Sequence, residues 1–323
     1  MRAMRAEAFR GYEDLKLADV PRPAVSEGGV LVKITAAGVT PLDHTILSGG
    51  YARAKAPLVL GSEGAGEIED ANGSAFSVGD RVMFTGPYGV SEDGAYSEYL
   101  AVKKENLSLI PANIDDVSAA GLPVAYLTAH MALSLAGFQA GKTVLSPAIG
   151  GSVGNAVTQL ARTLGARHAI STTTSHAKAE QARTLGFDEV IDLSTDELRE
   201  GVHRITEGYG CDIVIDAIGG DILSDALGTL AMGGSLTTLG YAAGRKSTID
   251  VTDIIWKRAS IKSFSLFAQP PEMWKAAWRA IYGLLETGAI KPIVARTFAL
   301  EDAAEALRFQ IENRPFGRVV LKI

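Results

Sequence analysis

The chain has one cysteine, Cys211, in 323 residues. A lone thiol excludes an intrachain disulfide and every zinc site built on two or more cysteines, and it fits a reducing compartment such as the cytoplasm. No block of lysine or arginine occurs. The 31 basic residues are scattered among 37 acids, for a formal charge of −6, so the electrostatic footprint of a nucleic-acid binder is missing. Met1 to Gly11 carries Arg2, Arg5, Glu7 and Arg10 and lacks the apolar core of a secretory signal. From Val117 to Gly141 there is no Asp, Glu, Lys or Arg, a stretch long enough to cross a bilayer. Pro123, Thr128, His130, Ser134 and Gln139 interrupt it, so it reads as a buried helix beginning after Pro123 and not as a membrane span. Internal repeats and low-complexity linkers are also missing.

What is present is ordinary in bulk: 47% hydrophobic and 21% charged residues, the balance of a globular protein of about two domains. Glycine is plentiful, at 35 residues against 12 prolines. The first third reads as short strands bounded by Gly, Pro and Asp: 29–34, 58–60 running into Gly61-Ser62-Glu63-Gly64-Ala65-Gly66, and 78–84, the pattern of a compact β-rich domain. The middle alternates. Strands are expected at 143–146, 169–171, 189–191, 212–215 and 235–239, with helices at 153–164, 177–185, 196–206 and 223–230. Such alternation implies an α/β domain, a doubly wound parallel sheet with helices on both faces. After about Lys257 it gives way to helices near 273–285 and 301–311 and a terminal strand, 318–323.

The first strand of the alternation runs into Pro147-Ala148-Ile149-Gly150-Gly151-Ser152-Val153-Gly154. A dinucleotide fold needs small residues here because the turn is tight, the pyrophosphate approaches backbone N–H groups, and the helix lies close on the strand. The helix N-terminus adds partial positive charge. Ala148 stands where the first glycine of the usual motif would be. The placement of the turn at the first strand–helix junction carries the assignment of Ala148, Gly150, Gly151, Ser152, Val153 and Gly154 to phosphate binding. The next strand ends Thr172-Thr173-Thr174-Ser175-His176-Ala177-Lys178, with no carboxylate before Glu180. An NAD site wants an acid there for the ribose 2′-OH. Hydroxyls from Thr173, Thr174 and Ser175 plus the Lys178 ammonium suit a 2′-phosphate instead, which favours NADPH over NADH. The competing reading, hydroxyls that cap the following helix, is compatible with it.

These motifs together resemble the medium-chain dehydrogenase/reductase superfamily, in particular its zinc-free quinone oxidoreductases, the zeta-crystallin-like group. The resemblance covers nearly the whole chain. It rests on Asp19-Val20-Pro21, Val30–Lys33, Ala36-Ala37-Gly38-Val39-Thr40-Pro41-Leu42-Asp43, the 61–66 segment, Val78–Val82, Gly94–Tyr99, Leu127-Thr128-Ala129, the 148–154 turn, Gln159–Ala161, Leu164–Ala166 and Phe316–Leu321. It implies a Rossmann domain at 123–257 and a GroES-like substrate domain at 1–122 and 258–323, with the cofactor in the cleft between them. It also implies that Thr128 touches the nicotinamide end, that Ser175 and Lys178 hold the 2′-phosphate, and that Tyr51 belongs to the substrate cleft. Tyr51 reads equally well as an ordinary half-buried aromatic. Thr40, Thr45 and Leu193 depart from the group, which usually has Asn at the first position and often Tyr at the other two.

Zinc members of the superfamily place a histidine where this chain has Ser62 and a cysteine near Asp43. His44, His130, His168, His176 and His203 show no helical metal spacing. A metal-free active site then leaves hydride transfer from NADPH to an electron-poor carbon, a quinone or another conjugated carbonyl, in which charge spreads onto a conjugated oxygen and orientation carries much of the rate. Tyr51 and Thr128 are the candidates to stabilise that oxygen. The alternatives are a 2-alkenal or enone reductase and an NADPH-binding protein with little turnover. Finally, Ala259 to Phe267 reads as a sixth strand at the sheet edge. Phe264, Leu266 and Phe267 make it too apolar to stay open, and this predicts a homodimer paired about a two-fold axis.

Overall fold

The computed structural model describes residues 1–323, which divide into two compact units, Met1–Leu127 with Gln269–Ile323, and Thr128–Ala268. The first unit is built on strands. Gly29–Val39 is its longest and centres a seven-stranded sheet. On one side it pairs antiparallel with Arg318–Lys322, which pairs parallel with Val294–Ala299. On the other it pairs with Glu63–Asp70, followed by Arg81–Thr85 and Leu107–Leu109, while Tyr99–Lys103 joins the start of the long strand. A smaller sheet joins Leu15–Asp19, Arg2–Ala6 and Leu58–Val59. Val30, Val32 and Ile34 from alternate positions of the long strand meet Ile68, Val82, Phe84, Leu100 and Leu321 in one buried cluster, as a period of two requires.

The second unit is a six-stranded, all-parallel sheet in the order Val190–Asp192, His168–Thr173, Thr143–Ser146, Cys211–Asp216, Leu230–Thr238, Ser260–Ser263. Its central strands read as continuous apolar runs because helices cover both faces. Leu145, Ile170, Val214 and Leu236 share the core with Leu198, Val202 and Leu227 from the helices. Cys211 is fully buried there, and burial pushes its thiol up to about 12, so it is inert at neutral pH.

The charge-poor stretch contains the helix Pro123–Leu135, and no helix is long and apolar enough to cross a membrane. Two expectations about the segment after residue 257 need correction. Ser260–Ser263 pairs with Leu230–Thr238, so residues 258–268 belong to the second unit and not to the first. The edge strand also stops at Ser263. Phe264 and Leu266 turn inward and are buried, and only Phe267 remains 40% exposed. Their apolar character therefore reflects packing inside the chain and gives no argument for an open apolar edge.

Candidate active site

The parallel sheet has a reversal in strand order between Thr143–Ser146 and Cys211–Asp216, and ligands of such sheets bind beyond the carboxyl ends of the strands at that point. The strand ends are tied together there. Ser171 Oγ donates to the carbonyl of Ser146 at 2.6 Å, and Ser146 Oγ to the carbonyl of Ile215 at 3.0 Å. The turn that follows Ser146 is pinned to the neighbouring strand: Ile149 N donates to the Thr172 carbonyl at 2.8 Å and Ala148 N to Thr172 Oγ1 at 3.1 Å. Ala148 adopts a left-handed backbone, φ 65°, the conformation that a glycine would take without the Cβ penalty.

The two later glycines of the turn stand in different surroundings. Gly154 is packed. A Cβ there would strike the carbonyl oxygens of Ala148 and Pro147, so glycine is what lets the helix Ser152–Thr163 lie on the strand. Gly151, at the N-cap, has φ −80° and ψ 149°, which any residue adopts. A Cβ there would find only Ala148 O at 3.3 Å and Ala148 Cβ at 3.8 Å. The backbone does not ask for glycine at 151, and packing asks for it only mildly, through the Ala148 carbonyl. No side chain caps this helix, and the first-turn N–H groups and dipole of such a helix attract an anion. Gly150, Ser152 and Val153 stand half-buried beside it.

One strand over, His168–Thr173 ends at Thr173, and the helix His176–Thr184 starts from Ser175. Ser175 makes no side-chain cap, and Thr173 Oγ1 accepts from Ser175 N at 3.3 Å. Thr174 is exposed and Lys178 half-buried. The apparent lack of an acid at this strand end is only local. Asp192 lies directly beside Thr173 in the parallel register. Its carboxylate accepts from Ser194 Oγ at 2.5 Å and Ser194 N at 3.0 Å, and pairs with His176 Nδ1 at 2.8 Å. The Ser194 bond first, and the His176 contact next, hold its carboxyl below the usual range.

A second glycine-rich turn follows the strand Cys211–Asp216. Asp216 is fully buried and accepts from Ile218 N at 2.9 Å, Gly219 N at 3.0 Å and Thr238 Oγ1 at 3.2 Å. Gly219 and Gly220 both have positive φ, 67° and 62°, and the turn is laced to the next loop by Gly220 N to Gly244 O and Ala243 N to Ile218 O. Asp216 and this turn are not among the site residues expected from the sequence. The local signal for it is an acid at a strand end followed, three residues on, by two glycines.

Tyr51 is half-buried against the core of the first unit, and Thr128, 5% exposed, opens the second unit on the helix Pro123–Leu135. His44 is a packing residue, its ring centroid 5.5 Å from that of Tyr12. The place where zinc members keep metal ligands is occupied by structure. Thr40 caps the helix Pro41–Leu47 in a reciprocal box with Asp43. Asp43 Oδ2 accepts from Thr40 N (2.7 Å), Thr40 Oγ1 (2.8 Å) and Tyr96 OH (3.0 Å). Burial raises both its carboxyl and, further, the Tyr96 hydroxyl. Glu63, fully buried, pairs with Arg318, whose burial lowers it to about 10. No three His, Cys, Asp or Glu side chains converge as a metal-binding group. The residues do not fit a zinc ion.

Residues 26–112 match the family described as alcohol dehydrogenase GroES-like domain, and residues 152–282 the one described as zinc-binding dehydrogenase. A curated quinone oxidoreductase from Pseudomonas aeruginosa is 33% identical over 322 residues, 97% of each chain. The chain belongs to the quinone oxidoreductase group of the medium-chain dehydrogenase/reductase superfamily. Among solved structures, an NAD-dependent alcohol dehydrogenase superposes with a TM-score of 0.92 at 30% identity, and a mycobacterial protein in complex with NADPH with 0.88 at 30% identity, each chain covered in full. One of these neighbours is described as NAD-dependent and the other is in complex with NADPH.

Proposed function

We propose that this protein is an NADPH-dependent, zinc-independent oxidoreductase that reduces quinones or related conjugated carbonyl compounds. The observation that carries the reading is Gly151, in a backbone conformation that any residue adopts, at the head of a helix that no side chain caps, at the strand reversal where this fold binds its ligand. The backbone of 148–154 holds the pyrophosphate, and Thr173, Thr174, Ser175 and Lys178 hold the 2′-phosphate. The group, when bound, supplies a hydride. The chain's part is to orient and to stabilise: Thr128 at the nicotinamide end, and Tyr51 or Thr128 donating a hydrogen bond to the oxygen on which charge gathers. Acceptors whose charge is delocalised need little acid catalysis, which accords with a site without a metal ligand set. The single buried thiol accords with a reducing compartment, the cytoplasm. Ser260–Ser263 is exposed and paired on one side only, which supports assembly into a homodimer through that edge.

The test is oxidation of NADPH against a panel of quinones, enals and enones, with NADH as control. Turnover with quinones is expected. Tight NADPH binding with no turnover on any acceptor would leave a binding protein in place of an enzyme. Active protein is expected to contain no stoichiometric zinc and to resist chelators, and a zinc whose removal abolishes activity would refute the metal-free reading.

A further inference from the structure

The 2′-phosphate reading above puts a dianionic group beside Thr173, and the structure puts a carboxylate there as well. Asp192 is the register neighbour of Thr173, one strand spacing away, roughly 4.8 Å. A bare Asp192 carboxylate would oppose a phosphate. It is not bare. His176, the first residue of the helix that Ser175 opens, places Nδ1 2.8 Å from Asp192 Oδ2, with its side chain 69% exposed. We propose that the His176–Asp192 pair is the specificity-determining element of this site: with the imidazole protonated it cancels the carboxylate and admits NADPH, and with the imidazole neutral the carboxylate weakens NADPH and leaves NADH unaffected.

The local charges support this division of labour. From the neighbouring strand, His176 is faced by Asp192. From its own helix it is faced by Glu180, at 4.0 Å from Nε2, and Glu180 is itself paired with Arg183. Lys178 stands two residues along on the same helix. Asp196, in the turn after Asp192, is taken by Arg204. The carboxylate of Asp192 stays ionised, since Ser194 and His176 both hold it below the usual range. The member of the pair able to gain or lose a positive charge is therefore the histidine. The sign follows. Raising the pH removes the positive charge and leaves the negative one, so the preference for NADPH over NADH declines.

The 2′-phosphate of the ligand also titrates, near pH 6, and gains charge as pH rises, which strengthens its contact with Lys178. Wild type alone cannot separate the two effects, but variants can. Dissociation constants for NADPH and NADH, measured by fluorescence titration from pH 5.5 to 8.5, are compared for wild type, His176→Gln, Asp192→Asn and Lys178→Ala. Between pH 6 and 8.5 the NADPH-to-NADH preference of wild type should fall by about three- to tenfold relative to that of His176→Gln, the scale of one charge-assisted interaction. Asp192→Asn should raise the preference at pH 8.5 by a similar factor and leave NADH affinity unchanged, which also reports an intact fold. Superimposable curves for wild type and His176→Gln, or no gain for Asp192→Asn at pH 8.5, would overturn the pair's role while Lys178→Ala still lost NADPH. If wild type shows no preference for NADPH at any pH, or Lys178→Ala changes nothing, the 2′-phosphate is not read here, and the proposal falls with the reading beneath it.

Discussion

Glycine at 151 and glycine at 154 are indistinguishable as letters, and the structure gives them separable consequences. Replacing Gly154 by Ala drives a Cβ into two backbone carbonyls, and backbone cannot swing aside as a side chain would. A loss of about 1–3 kcal/mol of stability is expected from such overpacking, read as a lower thermal midpoint. Gly151→Val meets a milder obstacle, the Ala148 carbonyl oxygen 3.3 Å from the added Cβ. Its stability should fall by about 1 kcal/mol, the scale of an unfavourable N-cap residue, while NADPH binding collapses because the branched side chain fills the approach to the helix N-terminus. Tight NADPH binding by Gly151→Val would show that this is not the phosphate turn. Lys178→Ala should weaken NADPH by about 1.5–3 kcal/mol, as for a hydrogen bond to a charged group, and leave NADH nearly unchanged. Equal losses for both dinucleotides would contradict the 2′-phosphate assignment.

At the scale of one element, the helix Pro41–Leu47 depends on its first residues. Seven residues are too few to hold a helix in water by themselves, so its capping box and its packing keep it. Thr40 accepts from Asp43 N and donates to Asp43 Oδ2, and Asp43 reaches Tyr96 and, at 3.3 Å, Gly61 N. The network fastens the helix to the start of the strand Glu63–Asp70 and to the ring of Tyr96. Thr40→Ala removes the cap and one bond to a buried carboxylate. It should cost about 1–2 kcal/mol, measured as the shift of a denaturation midpoint. Thr40→Asn retains a capping oxygen and should stay within about 0.5 kcal/mol of wild type. A neutral Thr40→Ala would show that the box is not what holds this helix.

For the whole molecule, the open question is the edge of the parallel sheet. Phe264 N donates inward to Thr238 O at 3.0 Å. Since neighbouring residues of a strand point their backbone groups to opposite sides, the N–H groups of Ile261 and Ser263 face outward. Ile261 is 42% exposed, and Ile255 and Trp256, just before the strand, are 66% and 73% exposed. Light scattering at micromolar concentration is expected to give the mass of two chains. Ile261→Pro removes one outward donor from the middle of the strand without touching an inward bond, and it should yield monomers. Ser265 lies beyond the strand end, so a proline there would not test the pairing. A single-chain mass for wild type would defeat the dimer.

The elements of the parallel sheet were legible because their cues are local. A strand of four to six apolar residues, a glycine-bearing turn and an amphipathic helix each declare themselves within a dozen positions, and the alternation then admits few topologies. Helix 152–163 and strand 143–146 lie where periodicity puts them. The strand Val294–Ala299 has no local signature, because Arg296 and Thr297 give it no apolar alternation, and its place beside Arg318–Lys322 is a matter of pairing. The same limit governs the site. Gly151 could be singled out from spacing, but its open face and the packed face of Gly154 are set by where helix and strand meet. The acid missing from the end of the second strand is supplied by Asp192, 19 positions beyond Thr173 in the chain and next to it in the sheet. The chain thus determined by itself what is short-range: the turn types, the helix starts, the inert thiol and the absence of a cysteine-based metal site. The tertiary structure decided the rest: where the edge strand ends, that Asp43 is also bound by Tyr96 and Gly61, and that a carboxylate and an imidazole meet beside the candidate 2′-phosphate site. Parallel register and burial join residues whose separation in sequence carries no trace of their contact.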